Sequence, residues 1–264
     1  MKANKTGGLV YHQFKAFNIP GLFHGVFCRK GGVSPAPWNS LNLGGTVGDS
    51  PENVGENLSR LLNASGYSSQ QLVQVKQIHS TKVIKVDTPE DAIREGDAIT
   101  TDKPGLLLLM RYADCVPILF HDPEHQAIAI AHAGWMGTLD GVVSEVVRQM
   151  GSQFGTSPDQ VKVGIGPSIG PDHYQIGDDV IKKAKKAFPE VYDQILNEEE
   201  GVVKLDLWKA NEIQLRRIGV DQIDIAGICT GCDPLNWYSH RVENGMTGRF
   251  ATVIGLKQEQ GDGC

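Results

Sequence analysis

Three apolar runs crowd into residues 105–134: GLLLLM (105–110), VPILF (116–120) and QAIAIAHAG (126–134). None shows the sustained polar alternation of a half-exposed strand, and each is far shorter than a membrane span. Runs of this kind, bounded by turns, read as strands buried on both faces. A chain that places three of them in succession has to cover a sheet on both sides.

The remaining sequence supplies the cover. LFHGVFCR (22–29), LVQVKQIH (72–79), TKVIKVD (81–87), VKVGIG (161–166), IDIAGIC (223–229) and FATVIGL (250–256) read as further strands. GDSPENVGENLSRLLNAS (48–65) reads as a helix capped by Ser50 or Asp49, with Pro51 in its first turn and Val54, Leu58, Leu61 and Leu62 on one face. TLDGVVSEVVRQMGSQFG (138–155) is expected as one helix with Val142, Val143, Val146, Val147 and Met150 inward. IGDDVIKKAKKAF (176–188) places acids before lysines, in accord with the helix dipole. KLDLWKANEIQLRRIG (204–219) is a further long helix, with Leu207, Ala210, Leu215 and Ile218 inward. No repeat, linker or sharp boundary interrupts the pattern. The expected class is α+β with mixed sheets in one domain over residues 1–264. Residues 1–20 are expected as an N-terminal extension and 257–264 as a polar, disorder-prone tail that includes Cys264.

Composition narrows the function. Hydrophobic residues at 40% and charged residues at 21% fit a folded globular chain. A net charge of −6 favours neither nucleic acid nor an anionic membrane, so an anionic substrate needs a local basic pocket. The first residues lack the apolar core of a secretory leader. Five cysteines do not suggest a secreted disulfide framework. The expected setting is the reducing cytoplasm, where a cysteine is free, metal-bound or catalytic. A monomer is expected at this size.

Within YADCVPI (112–118), Cys115 sits between two apolar runs, beside Asp114 and two residues before Pro117. Taken alone, such a thiol is most simply a small core residue. Two histidines change the reading. His79 stands where LVQVKQIH gives way to a polar turn, and His132 ends AIAIAH before a glycine-bounded turn. Strand ends are where α/β folds place sites. Three metal-competent side chains at three strand ends form a His-Cys-His set suited to zinc, with a fourth position open. His12, His24 and His125 read as packing or surface residues, and His121-Asp122-Pro123 as a turn.

Other segments compete. Cys229-Thr-Gly-Cys232 is a CxxC that can bind zinc or do redox chemistry, but no second CxxC accompanies it. RKGGVS (29–34) sets Arg29 beside Gly31 and Gly32, either as an anion cradle or as a hairpin turn. GIGPSIG (164–170) is glycine-rich without the dinucleotide spacing, and YSHRVENGMTGRF (238–250) offers Arg241 and Arg249.

Taken in order, KQIHS, GDAITTD, ADCVPIL, AIAHAGWMGT, GIGPSIGPDHYQIG and YSHR…TGR resemble the YfiH/YlmD family of laccase-domain proteins and purine nucleoside phosphorylases. RKGGVSPAPWNSLNLGGTVGDSPENV resembles its N-terminal signature, so the likeness spans about residues 22–256. The resemblance implies a compact α/β/β/α fold. It implies zinc on His79, Cys115 and His132, phosphorolysis of adenosine, inosine, guanosine and methylthioadenosine, and adenosine deamination. Two positions depart from the family pattern. Met136 stands where HAGWRG has arginine, and DHYQI, with His173 and Gln175, stands where CCYEV is frequent.

On this reading Asp114 is the proton carrier, orients a histidine, or only caps the turn that Pro117 stiffens; Arg29 and Arg249 hold the anion, and Asn42 bonds the nucleoside. The laccase name meets a residue test: eight histidines without a His-x-His pair do not make a multicopper centre. A single His-Cys-His site can take copper in vitro, because copper outbinds zinc at most such sites. Two alternatives stay open: a cysteine hydrolase using Cys115 with His132 or His79, and a non-enzymatic zinc-binding protein.

Overall fold

A computed structural model describes residues 1–92 and 94–258. The part of the expected tail from 259 to 264, with Cys264, lies outside the described residues. The chain begins with β1 (Lys2–Thr6), β2 (Leu9–Gln13), β3 (Leu22–Phe27), α1 (Pro51–Ser65), β4 (Leu72–Gln74) and β5 (Val83–Lys85). It continues with β6 (Ala98–Thr101), β7 (Leu107–Tyr112), β8 (Val116–Asp122), β9 (Ala127–Ala133), α2 (Trp135–Asp140) and α3 (Val142–Phe154). β10 (Lys162–Ile165), α4 (Asp178–Ala187), β11 (Leu196–Glu199), β12 (Val202–Leu205), α5 (Leu207–Arg217), β13 (Gln222–Ile225) and β14 (Phe250–Leu256) complete it.

The strands build two six-stranded sheets, ordered β1-β2-β3-β14-β7-β4 and β13-β10-β8-β9-β6-β5, and β11 and β12 pair separately. Both sheets are mixed, since β4–β7, β5–β6 and β10–β13 run parallel among antiparallel neighbours. β7 shows why its sequence is apolar throughout. Leu107 and Leu109 pack with Leu61 and Leu62 of α1. Leu108, Met110 and Tyr112 turn the other way, onto Leu119, Ile128 and Ile130 of the second sheet. Ile118, Phe120, Ala129 and Ala131 then face a helical layer that includes Val143, Val146 and Leu215. The layers are therefore α1, first sheet, second sheet, and α2–α5, the expected α/β/β/α order. Each fully buried Leu, Ile or Val contributes roughly 1.5–3 kcal/mol.

Local signals hold well at α1. Ser50 accepts from Asn53 N, Pro51 opens the helix, and Gly66 closes it in the left-handed region. The single helix expected over 138–155 is instead two, α2 and α3. Gly141, at φ 87°, breaks it by adopting a backbone that few other residues accept. LVQVKQIH and TKVIKVD also shorten, to β4 and β5. Between them the chain leaves one sheet edge for the other, held by Lys76 N to Arg94 O and Gly96 N to Lys76 O, both 3.0 Å. Residues 1–20 add β1 and β2 to an edge of the first sheet. Lys257 N still bonds Gly21 O at 2.7 Å.

Two histidines are sealed in this core. His24 Nε2 accepts from Phe14 N at 2.8 Å, while neither ring nitrogen of His121 has a partner among the described residues. Burial holds both down to about 4. Below about pH 6.5 the unfolded chain therefore takes protons that the folded chain refuses. Stability is expected to fall between pH 6.5 and 4, by up to about 1.4 kcal/mol per pH unit for each histidine. Urea titrations across that range should give a shallower slope for His121→Leu. An unchanged slope would remove His121 as a source.

Candidate metal centre

Three segments converge at one edge of the sandwich. One is the crossing after β4, which carries His79. The second is Ala113–Cys115, where the chain passes from β7 to β8. The third is the end of β9. Val116 pairs with Ala133 and Pro117 with His132, so Cys115 comes level with Gly134. A Cβ on Gly134 would stand 3.1 Å from both Cys115 Sγ and His79 Cδ2. The absence of a side chain there lets the groups close. His79 Nε2 lies 4.0 Å from Cys115 Sγ, and the His79 and His132 ring centroids are 4.8 Å apart. One ligand atom from each of the three falls within 4.8 Å of the others.

Asp97, immediately before β6, organises the set. It is fully buried. Its carboxylate accepts from His79 N at 3.0 Å, Ser80 N at 2.6 Å, Ser80 Oγ at 2.7 Å and Ile78 N at 3.2 Å. His132 Nδ1 lies 2.9 Å from the same carboxylate, leaving Nε2 as the outward ligand atom. Wrapping three amides around one anion also accounts for His79 adopting φ 60°. The sequence reading made His79 the end of a strand, whereas it sits in this nest five residues after β4. Burial raises the Asp97 carboxyl, but His132 and Ser80 outweigh it and hold it at about 2. Burial likewise raises the Cys115 thiol, and His132 and His79 more than reverse this. Against its own burial, His132 is raised by Cys115 and Asp97.

The other expected site residues divide. Asp114, in the left-handed region at φ 82°, spends its carboxylate on Thr230 Oγ1 and Arg241 N, both at 2.7 Å. It braces the crossing, and the carboxylate that orients a histidine is Asp97. Arg29 is not brought to the histidines. Its guanidinium donates to Asn39 O and Pro234 O, each at 2.8 Å, pairs with Glu243 at 2.9 Å, and stacks 4.2 Å over Tyr238. With its donors turned inward it ties two loops together. The glycines beside it are packed as well, since a Cβ on Gly31 would meet Gly8 O at 2.5 Å. Asn42 is fully buried. Its Oδ1 accepts from Gly44 N and Arg249 N, both at 2.9 Å, so it positions Arg249.

Arg249 does reach the centre. A cleft of about 590 Å³ is lined by His79, Cys115, His132, Arg111, His240 and Arg249. Arg111 donates to Leu43 O and the Gln74 side chain. Arg249 Nη1 donates to Thr247 O at 3.1 Å and Gly248 O at 2.9 Å. A second cleft, about 170 Å³, also opens on His79 and Cys115, with walls of Trp135, Met136, Ile169 and Tyr174. The set thus stands between a cation-lined space and an apolar one. Sequence reasoning did not single out Asp97, Arg111 or His240. Asp97 was visible only inside GDAITTD, and Arg111 only as the charge that ends the leucine run.

The donors are two imidazoles and one thiol, with a carboxylate behind one imidazole. That chemistry fits a divalent metal. A family model described as multi-copper polyphenol oxidoreductase laccase matches residues 23–257. A purine nucleoside phosphorylase of Deinococcus radiodurans is 37% identical over 90% of both chains. The purine nucleoside phosphorylase YlmD of Bacillus subtilis is 34% identical over 91% of both. The chain belongs to the YfiH/YlmD family. Among solved structures, YlmD from Geobacillus stearothermophilus superposes with a TM-score of 0.90 at 32% identity, covering 97% of this chain and 98% of that one. The laccase part of the family description finds little counterpart here. Among the described residues, the metal-competent groups hold at most two histidines each, too few for a trinuclear copper cluster. Among the described residues no helix is long and apolar enough to cross a membrane.

Proposed function

We propose that the chain is a zinc-dependent purine nucleoside phosphorylase, converting a nucleoside and phosphate into a free base and ribose 1-phosphate. Adenosine, inosine, guanosine and methylthioadenosine are the proposed substrates, and adenosine deamination is a second activity at the same centre. The observation that carries this reading is the His79–Cys115–His132 set standing between a cation-lined cleft and an apolar one. His79, Cys115 and His132 would hold the zinc, which would supply Lewis acidity there. Arg249 and Arg111 hold the phosphate dianion by charge. Trp135, Met136 and Tyr174 give the purine an apolar surface and exclude water from it. Asp97 keeps His132 in one tautomer. Met136, in place of the arginine frequent in the family, leaves the small cleft without a cation at that position. The protein acts in the cytoplasm as a monomer on this reading, with copper able to replace zinc in vitro.

Adenosine incubated with the zinc-loaded protein tests the proposal. Adenine and ribose 1-phosphate should appear only when phosphate is present, and inosine with or without it. The appearance of neither adenine nor inosine would overturn the reading. Arg249→Gln should raise the KM for phosphate at least about tenfold, an effect of about 1.4 kcal/mol, with a smaller change for adenosine. An unchanged phosphate KM would remove Arg249 from the anion role.

A second reading rests on Cys115, His132 and Asp97 lying in the order nucleophile, base and orienting carboxylate. A cysteine hydrolase built this way keeps its activity in chelator and loses it on alkylation of Cys115. The phosphorylase behaves in the opposite manner towards chelator.

A further inference from the structure

A second cluster of soft ligands lies outside the centre described above. His173 Nδ1 is 3.7 Å from Cys229 Sγ and 3.6 Å from Cys232 Sγ. One ligand atom from each falls within 4.8 Å of the others, and both cysteines are free thiols. Asp172 Oδ2 is 3.8 Å from Cys232 Sγ. Tetrahedral zinc, with Zn–S near 2.3 Å and Zn–N near 2.05 Å, requires S···N edges of about 3.6 Å. The observed separations match that edge.

The surroundings hold these atoms in place. Ser168 and Cys229 form a parallel bridge, closed by Ser168 N to Ile228 O at 3.2 Å and Thr230 N to Ser168 O at 2.9 Å. Gly170 N donates to Cys229 Sγ at 3.2 Å, the kind of amide bond that supports a thiolate. Two glycines let the loops approach. A Cβ on Gly170 would meet Cys229 Cβ at 3.0 Å, and one on Gly231 would meet His173 Cγ at 3.2 Å.

We propose that His173, Cys229 and Cys232 bind a second zinc ion, with Asp172 as the nearest fourth donor. The thiol-rich set selects zinc over hard cations. Binding releases the two thiol protons to solvent as two Zn–S bonds form, and His173 coordinates as the neutral imidazole. The ion pins the 168–174 loop to the 228–232 loop. The first carries Ile169 and Tyr174 of the apolar cleft, and the second carries Thr230, which bonds Asp114 beside Cys115. The role is structural: the ion fixes one wall of the cleft and takes no part in the reaction.

The test uses the full chain, kept reduced, with zinc and cobalt(II) as probes. Wild type should hold about two zinc ions per chain and Cys115→Ala about one. The cobalt form of Cys115→Ala should show an intense thiolate-to-cobalt charge-transfer band, which Cys232→Ser or His173→Ala abolishes or weakens severalfold. His173 is exposed, so its variant is expected to fold even if Cys232→Ser does not; circular dichroism checks both. Cys115→Ala protein that binds no zinc, or whose cobalt band survives both second-cluster changes, would overturn the proposal. A Cys229–Cys232 disulfide that persists in reductant would do so too.

Discussion

Cys115→Ala is expected to abolish zinc binding at the first centre and to lower both phosphorolysis and deamination by at least about a thousandfold. The fold should survive. Cys115 sits at the lip of two clefts on a crossing held by other groups, chiefly Asp114 on Thr230 and Arg241. Cys115 is only partly buried and packs at the border of the cluster between the two sheets, so Ala removes a single sulfur there. Metal analysis, product chromatography and thermal unfolding of one preparation separate these statements. A variant with full turnover would remove Cys115 from the site. A variant that fails to fold would show that the thiol's place at the sheet crossing matters more than its chemistry.

Asp97→Asn is expected to be as damaging by another route. The carboxylate accepts from three amides, one hydroxyl and one imidazole. An amide of the same shape turns one acceptor into a donor facing donors. The expected stability loss is about 3 kcal/mol or more, because buried donors are left unpaired. Zinc affinity should fall about 10- to 100-fold, as is typical when the group behind a ligating histidine is lost. Acid has a related effect on the native protein. The Asp97 carboxyl is held at about 2, below its unfolded value, so its contribution is present above about pH 4 and is lost as pH falls towards 2. Denaturant titration and zinc competition measure the two losses for Asp97→Asn. If both were within error of wild type, Asp97 would not be the organiser of the centre.

Much of the fold is legible in the sequence. The three apolar runs required a sheet covered on both faces, and the capping pattern around Ser50 placed α1 closely. These are local properties, set by period and by cap chemistry. Cys115 and His132 could be picked out because they interrupt or end apolar runs, and His79 because it stands at the start of a polar turn. The choices that failed were of another kind. Arg29 looked like an anion ligand from its neighbours in sequence, yet its partners Pro234 and Glu243 lie some two hundred residues away. Asn42 likewise serves Arg249, not a ligand directly.

The sequence alone therefore determined which segments are buried, the type of most of the longer elements, and which family the motifs resemble. Tertiary structure alone decided which polar groups have donors to spare. Burial and periodicity are written in neighbouring residues. The satisfaction of a guanidinium or carboxylate depends on atoms that meet only when two sheets close. Asp97 is the clearest case, an ordinary acid before a strand until folding brings the His79 turn and His132 to its two oxygens.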